Sequence, residues 1–312
     1  MAASYTFEDL SGTATSDTGN PYDGLINACH NDSSEIQARY ITHRETRAGQ
    51  QKTKLLSPEF DAVTVDETLL KLETQPEFED PRHCLVFWAR PPQAVKAMIG
   101  EVQQKLKEVV PRLWLMPQQC LHTTTLEITH SLTESENAKF VKQVEGVARK
   151  IVDYPYDHRA RVIKPKITYD AQAMALSFLP ASGEGLPKGR TAEDDRFTYH
   201  HLRRELYAIC TEAGVKVGSR YVVPSAHLTI GRFIYADEWK MSDGGFDHGR
   251  MKKLIEVIDE TNRWLEETYW PKSNEKIKEG GEWIVGQEQG LDHRYGTLWY
   301  GGGETIMLGK GF

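Results

Sequence analysis

The chain has 312 residues, 39% of them hydrophobic, which is enough to bury the core of one large domain or two ordinary ones. Its formal net charge of −7 argues against a grip on long duplex nucleic acid, which calls for a basic face, and favours a small nucleotide or an RNA end with positive charge supplied locally. No run approaches the apolar length that crosses a bilayer, the first ten residues carry no basic or apolar leader, and Cys29, Cys84, Cys120 and Cys210 form no C-x-x-C pair, so free thiols in the cytosol or nucleus and no structural zinc are expected.

Residues 1 to about 80 are polar and thin in apolar side chains, so they read as an extension that packs on the main body. Within them Asn31, Asp32, Ser33 and Ser34 can cap a helix running through Ile36, Tyr40 and His43 to Gln50. The acidic part that follows carries Val63, Val65, Leu69 and Leu72. The body, 81–312, opens with an apolar strand, His83 to Ala89, stopped by Arg90, Pro91 and Pro92. Val95, Met98, Ile99, Val102, Leu106 and Val109 then keep helical spacing up to Pro111. After a strand at 118 to 128, Thr133 and Glu136 spell a capping box, because each side chain can satisfy the other's exposed amide, for a helix burying Phe140, Val144, Val147 and Ile151. These elements make a first lobe, about 81–155.

A second lobe, about 156–312, repeats the order. Strands are expected from Arg161 to Tyr169 and from Ala173 to Leu179, where Met174, Leu176 and Phe178 alternate. The Gly- and Pro-containing stretch from 180 to 190 reads as a mobile surface loop. A helix from about Asp194 to Ala213 stops at Gly214, and another carries Met251, Leu254, Ile255, Ile258 and Leu265. Final strands are expected at 283–286, 296–300 and 305–308, with Gly301 to Gly303 as the hairpin turn. His200 and His201, adjacent on a helix, point apart and read as a solvated face with no metal spacing. The glycines near the end lack the order of a phosphate-binding loop.

Two strands share a spelling: His122 with Thr124, and about a hundred residues later His227 with Thr229. A single His-x-Thr in a chain of 11 histidines carries no weight. The pair does, since both lie in strand-like runs a few residues after a Pro and after a similar strand-helix unit. In a strand, His and the Thr two places on share a face, which sets an imidazole beside a hydroxyl twice. Two imidazoles flanking one phosphate can serve as general base and general acid.

On these residues the chain resembles the two-histidine (2H) phosphoesterase superfamily over roughly 82–312. Ile36 to Tyr40, Leu55 to Pro58 and the run Leu298, Trp299, Tyr300, Gly301, Gly302, Gly303 are similar to its fungal RNA ligase/cyclic nucleotide phosphodiesterase branch. The resemblance implies an α+β fold of two pseudo-symmetric lobes, each an antiparallel sheet backed by helices, with one His-x-Thr facing the other across a central cleft. It implies His122, His227, Thr124 and Thr229 as catalytic residues and Arg232, five places after the second His, as a phosphate holder. Two features differ from the family's pattern. Thr123 and Thr125 make the inner face of the first strand polar, and simple alternation turns Arg232 away from His227 unless a twist or bulge follows Gly231.

The activity implied is metal-independent hydrolysis of a 2′,3′-cyclic or related phosphodiester on a nucleotide or RNA end, without cofactor or metal. 2′,5′-RNA ligation, 2′,5′-oligonucleotide cleavage and a non-catalytic RNA- or nucleotide-binding module are the alternatives. Thr124 and Thr229 would hydrogen-bond the non-bridging oxygens, and Trp114, Tyr221, Trp299 and Tyr300 are the aromatic candidates for stacking the base. A monomer without membrane or long-duplex partners is expected.

Overall fold

Apolar side chains at 3.6-residue spacing along one helix face and alternating along strands leave only one side of each element fit for water, and layers of sheet and helix follow. A computed structural model of the protein describes residues 8–13, 19–272 and 276–312. The fold is α+β with two antiparallel sheets. The first sheet orders its strands β3 (Thr123–Leu132), β1 (His83–Ala89), β8 (Leu291–Gly296) and β9 (Glu304–Leu308). The second runs β2 (Trp114–Leu115), β6 (Ala226–Arg232), β5 (Ala173–Pro180), β4 (Arg161–Tyr169) and β7 (Glu282–Ile284).

The sheets do not divide the chain at one point. β8 and β9 come from the far end of the chain and complete the first sheet, while β2 leaves the first half to pair with β6, Trp114 opposite Arg232. The body is therefore laced together by exchanged strands, and β3 of one sheet lies beside β6 of the other. Of the last expected strand pair, 305–308 is present as β9 and 296–300 is displaced: β8 spans 291–296, and Leu298 to Tyr300 belong to the connection to β9, where Gly301 and Gly303 take positive φ.

The helices follow their sequence signals closely. Asp32 caps α2 (Ser33–Leu55), accepting from the Ser34 and Glu35 amides, and Ile36, Tyr40 and His43 are buried. α4 (Gln93–Val109) buries Val95, Met98, Ile99, Val102 and Leu106 against α7 (His248–Tyr269) and β6. The Thr133–Glu136 capping box opens α5 (Glu134–Asp157) behind the first sheet. Asn262 on α7 caps the free edge of β4 by bonding both the amide and the carbonyl of Ile167. Two short helices, α1 (Asp23–Ala28) and α3 (Glu67–Thr74), were not evident in the sequence; α3 begins at Asp66, whose carboxylate accepts from the Leu69 amide.

Three local expectations are corrected. α6 (Tyr199–Glu212) starts at its Thr198 cap, five residues later than composition suggested, because 192–196 form a separate turn of 3₁₀ helix. His200 and His201 are buried, not solvated: His200 bridges the Tyr40 hydroxyl and the Tyr22 carbonyl, and His201 links the Thr198 cap to Asn31. The stretch from 180 to 190 is tied down, since the buried Arg161 guanidinium donates to the carbonyls of Glu184 and Gly185 while pairing with Asp195 and Glu282.

Candidate functional site

β1 and β3 pair with Trp88 opposite Thr124. Alternation then sends Leu85, Phe87 and Ala89 into the main core and presents Cys84, Val86 and Trp88 to the other face, where they meet Leu298 and Trp299. That face is the floor of a cleft of about 50 Å³ reached by His122, Thr124, His227 and Thr229 together. The two His-x-Thr pairs thus converge on one space, although the strand expected over 118–128 begins only at Thr123: residues 118–120 form a 3₁₀ turn and His122 sits just before β3, whereas His227 and Thr229 both lie on β6. It opens into a larger chamber of about 280 Å³ that shares His227, Thr229, Arg220, Tyr221, Arg232 and Trp299 with it.

Each imidazole is fixed by its Nδ1. His122 Nδ1 lies 2.7 Å from the Cys120 carbonyl, so in the neutral ring Nδ1 carries the hydrogen and Nε2 the lone pair. His227 Nδ1 lies 3.0 Å from the Ser225 hydroxyl, a partner able to donate or accept. The His122 ring is stacked on Trp88, and Tyr221 leans on the His227 ring at 5.7 Å. Enclosure by the protein holds both rings below the ordinary histidine range, His122 at about 3 and His227 at about 4. At His122 the Cys120 carbonyl opposes this, while nearby cations push the same way as burial: Arg90 and Arg294 on His122, and Arg203, Arg47 and Arg232 on His227. Neither the Thr124 nor the Thr229 hydroxyl makes a hydrogen bond among the described residues, so both donors face the cleft unspent.

Arg232 stands on the same face as His227. In the β5–β6 ladder Met174 opposes Gly231 and Ala175 opposes Thr229, which leaves Ile230 as an extra residue. The bulge lies one residue before Gly231, not after it, and Ile230 and Gly231 are both buried before Arg232 returns to the cleft. Asp66, delivered by the amino-terminal extension, holds Arg232 at 3.2 Å, and the Arg232 Nε is buried without a hydrogen-bond partner among the described residues. A second arginine, Arg220, had no signal in the sequence. Glu127, buried in the cleft wall, accepts from its Nε at 3.0 Å, from its Nη2 at 2.5 Å and also from its backbone amide. The charged side chains lining the cleft are thus Arg220, Arg232 and Glu127, with each arginine paired to a carboxylate.

The aromatic candidates separate. Trp299 and Tyr221 line the cleft, with Trp299 between the guanidinium groups of Arg82 (4.3 Å) and Arg220 (4.6 Å). Trp114 and Tyr300 are absent from the lining of either space. The Tyr300 hydroxyl donates to Asp66 (2.6 Å) and accepts from Arg82, and Trp114 donates its indole N–H to Glu73 while its ring meets Tyr300 edge-on. Both brace the support of Arg232, so their side chains are spent on protein partners. Of the two threonines that made the first strand's inner face polar, Thr125 satisfies its hydroxyl on the Phe87 carbonyl, whereas the Thr123 hydroxyl is buried without a partner. Among the described residues no group of three His, Cys, Asp or Glu side chains could hold a metal ion, and no helix is long and apolar enough to cross a membrane.

No protein-family model matches the chain, and no curated protein matches it.

Proposed function

We propose that the protein is a phosphodiesterase of the two-histidine type, its two sheets being the two pseudo-symmetric lobes of that fold, acting on a 2′,3′-cyclic or related diester of a nucleotide or RNA end. The observation that carries this reading is the shared cleft in which His122, Thr124, His227 and Thr229 meet beside two braced arginines. His122 is the better base, because its Nδ1–H is held by a carbonyl, an acceptor only, and its Nε2 keeps a lone pair for the water proton. His227 is then the acid. The water oxygen forms a bond to phosphorus as the ribose oxygen leaves, the water proton passes to His122, and His227 gives its proton to the departing oxygen. The product is a phosphomonoester. The Thr124 and Thr229 hydroxyls, with Arg220 and Arg232, meet the charge that grows on the non-bridging oxygens.

The test is hydrolysis of 2′,3′-cyclic nucleotides by the wild type, His122→Ala and His227→Ala, with folding checked by circular dichroism. Each variant is expected to lose about 10²–10⁴ in kcat, the usual contribution of a general acid or base. Wild-type activity in either folded variant overturns the reading, and nucleotide binding without any turnover by the wild type assigns a binding module instead.

A further inference from the structure

The space around His227 is far larger than one phosphate needs, and the sequence of β5 explains why. Ser177, Ala175 and Ala173 stand directly opposite His227, Thr229 and Arg232, so the sheet face beside the functional side chains carries almost no bulk. On the next strand Thr168 opposes Ala175, and α2 packs across β4 and β5 on this same face as a roof. A chamber of about 280 Å³ is left between sheet and helix, continuous with the cleft at His227 and Thr229.

The roof is basic on the side it turns to the chamber. His43, Arg44 and Arg47 all line it. His43 Nδ1 accepts the Leu10 amide, so its neutral ring keeps the hydrogen on Nε2 as a donor. Arg44 is buried, with one Nη donating to the Lys164 carbonyl. Arg47 is oriented by Asp170 on the β4–β5 turn, one Nη at 2.9 Å, and among the described residues its other N–H groups meet no carboxylate. Glu8 and Asp170 are the carboxylates on the chamber wall. Arg47, His43 and His227 all line this one chamber. β6 and β4 lie two interstrand spacings, about 10 Å, apart across the chamber floor.

We propose that this roof is a second anion subsite, so that the preferred substrate carries a further phosphate on its 5′ side in addition to the diester being opened. The proposal rests on the phosphodiesterase reading of the adjoining cleft. A terminal 5′-phosphate and an internucleotide phosphate present the same anion to His43 and Arg47.

The experiment compares kcat/KM for adenosine 2′,3′-cyclic phosphate, its 5′-phosphorylated form, and a diadenylate ending in a 2′,3′-cyclic phosphate. One charge-assisted contact corresponds to about tenfold or more in favour of the 5′-charged substrates. That ratio should fall toward one in Arg47→Gln and His43→Gln and be largely kept in Arg47→Lys. The diadenylate turning over as well as the 5′-phosphorylated mononucleotide assigns the subsite to RNA ends, and its exclusion assigns it to free nucleotides. A ratio near one in the wild type overturns the subsite while leaving the phosphodiesterase reading intact. If the wild type opens none of the three, that reading falls, and calorimetry decides the subsite: adenosine 3′,5′-bisphosphate must bind more tightly than adenosine 3′-monophosphate, with the advantage lost in Arg47→Gln. Equal binding overturns it.

Discussion

The rings of His122 and Trp88 lie face to face, their centroids 3.7 Å apart and their planes 18° from parallel. Trp88 is itself buried, and Arg90 and Arg294 sit over it at 4.8 and 5.3 Å. The indole therefore sets the plane in which His122 offers its Nε2. Trp88→Leu keeps apolar volume but removes the flat support, and kcat for cyclic-phosphate opening is expected to fall about 10–10²-fold, since small misplacement of a reacting group is costly. Thermal unfolding measured beside it separates this from simple destabilisation: Trp88→Phe should recover kcat more than it recovers melting temperature.

The pH dependence of catalysis follows from the low proton affinity of both rings. An acid with a free-protein pKa of about 4 is protonated in a fraction that falls tenfold for each pH unit above it. The logarithm of kcat/KM should therefore decline with a slope near −1 between about pH 5 and 7. A bound phosphate anion stabilises the imidazolium, so the corresponding limb of kcat lies at higher pH. A pH–rate profile in which kcat/KM climbs through neutrality contradicts these assignments.

Stability should lean the other way. His200, His201 and His293 are buried and held neutral by enclosure, at about 3, 4 and 4, against an ordinary value of 6.5 in the unfolded chain. Between those values the unfolded chain binds more protons than the folded one, so unfolding free energy rises with pH there. The contribution is fully present above pH 6.5 and is lost as pH falls toward 4, by about 1.4 kcal/mol per pH unit for each histidine. Denaturant titrations at pH 7.5, 6 and 5 should show the loss. His293→Phe, which stacks equally well on Phe87 and removes two buried nitrogens unpaired among the described residues, should lessen it by one histidine's share.

Arg232 depends on a relay through Asp66, which accepts from Tyr300 while pairing with Arg232. Asp66→Asn should lower kcat/KM about tenfold by freeing that guanidinium, within the cost of breaking a buried pair. Tyr300→Phe is the sharper probe. A stacking role for Tyr300 predicts no effect, since Phe stacks as well; the relay, acting on Arg232 only through Asp66, predicts a KM raised several-fold, less than the tenfold or more of a direct charge-assisted contact. Steady-state kinetics on one cyclic nucleotide distinguish the two.

How far the sequence could be read is clearest in three places. The β1 run, the α4 spacing and the Thr133–Glu136 box are complete within a few residues, and all three appear where expected. The His-x-Thr alternation likewise needs only local backbone to put each imidazole beside its hydroxyl. Arg232 is different: its face depends on Ile230 being skipped in the pairing with β5, some fifty residues earlier in the chain. Arg220 was invisible because its meaning lies in Glu127, buried on a strand of the other sheet.

Periodicity and capping are properties of neighbours in the chain, and from them alone came the α+β content, the cap positions of α2 and α5, the α4 span and the β6 histidine strand. Partners distant in the chain settled the rest. β8, reading Leu-Asp-His-Arg-Tyr-Gly, has no strand-like alternation of its own and is a strand because β1 supplies its hydrogen bonds. His200 and His201 look like surface until Tyr22, Tyr40 and Asn31 arrive to cover them. A hydrogen bond or a buried contact between distant residues carries no mark in either segment, so only the folded chain could decide where those side chains went.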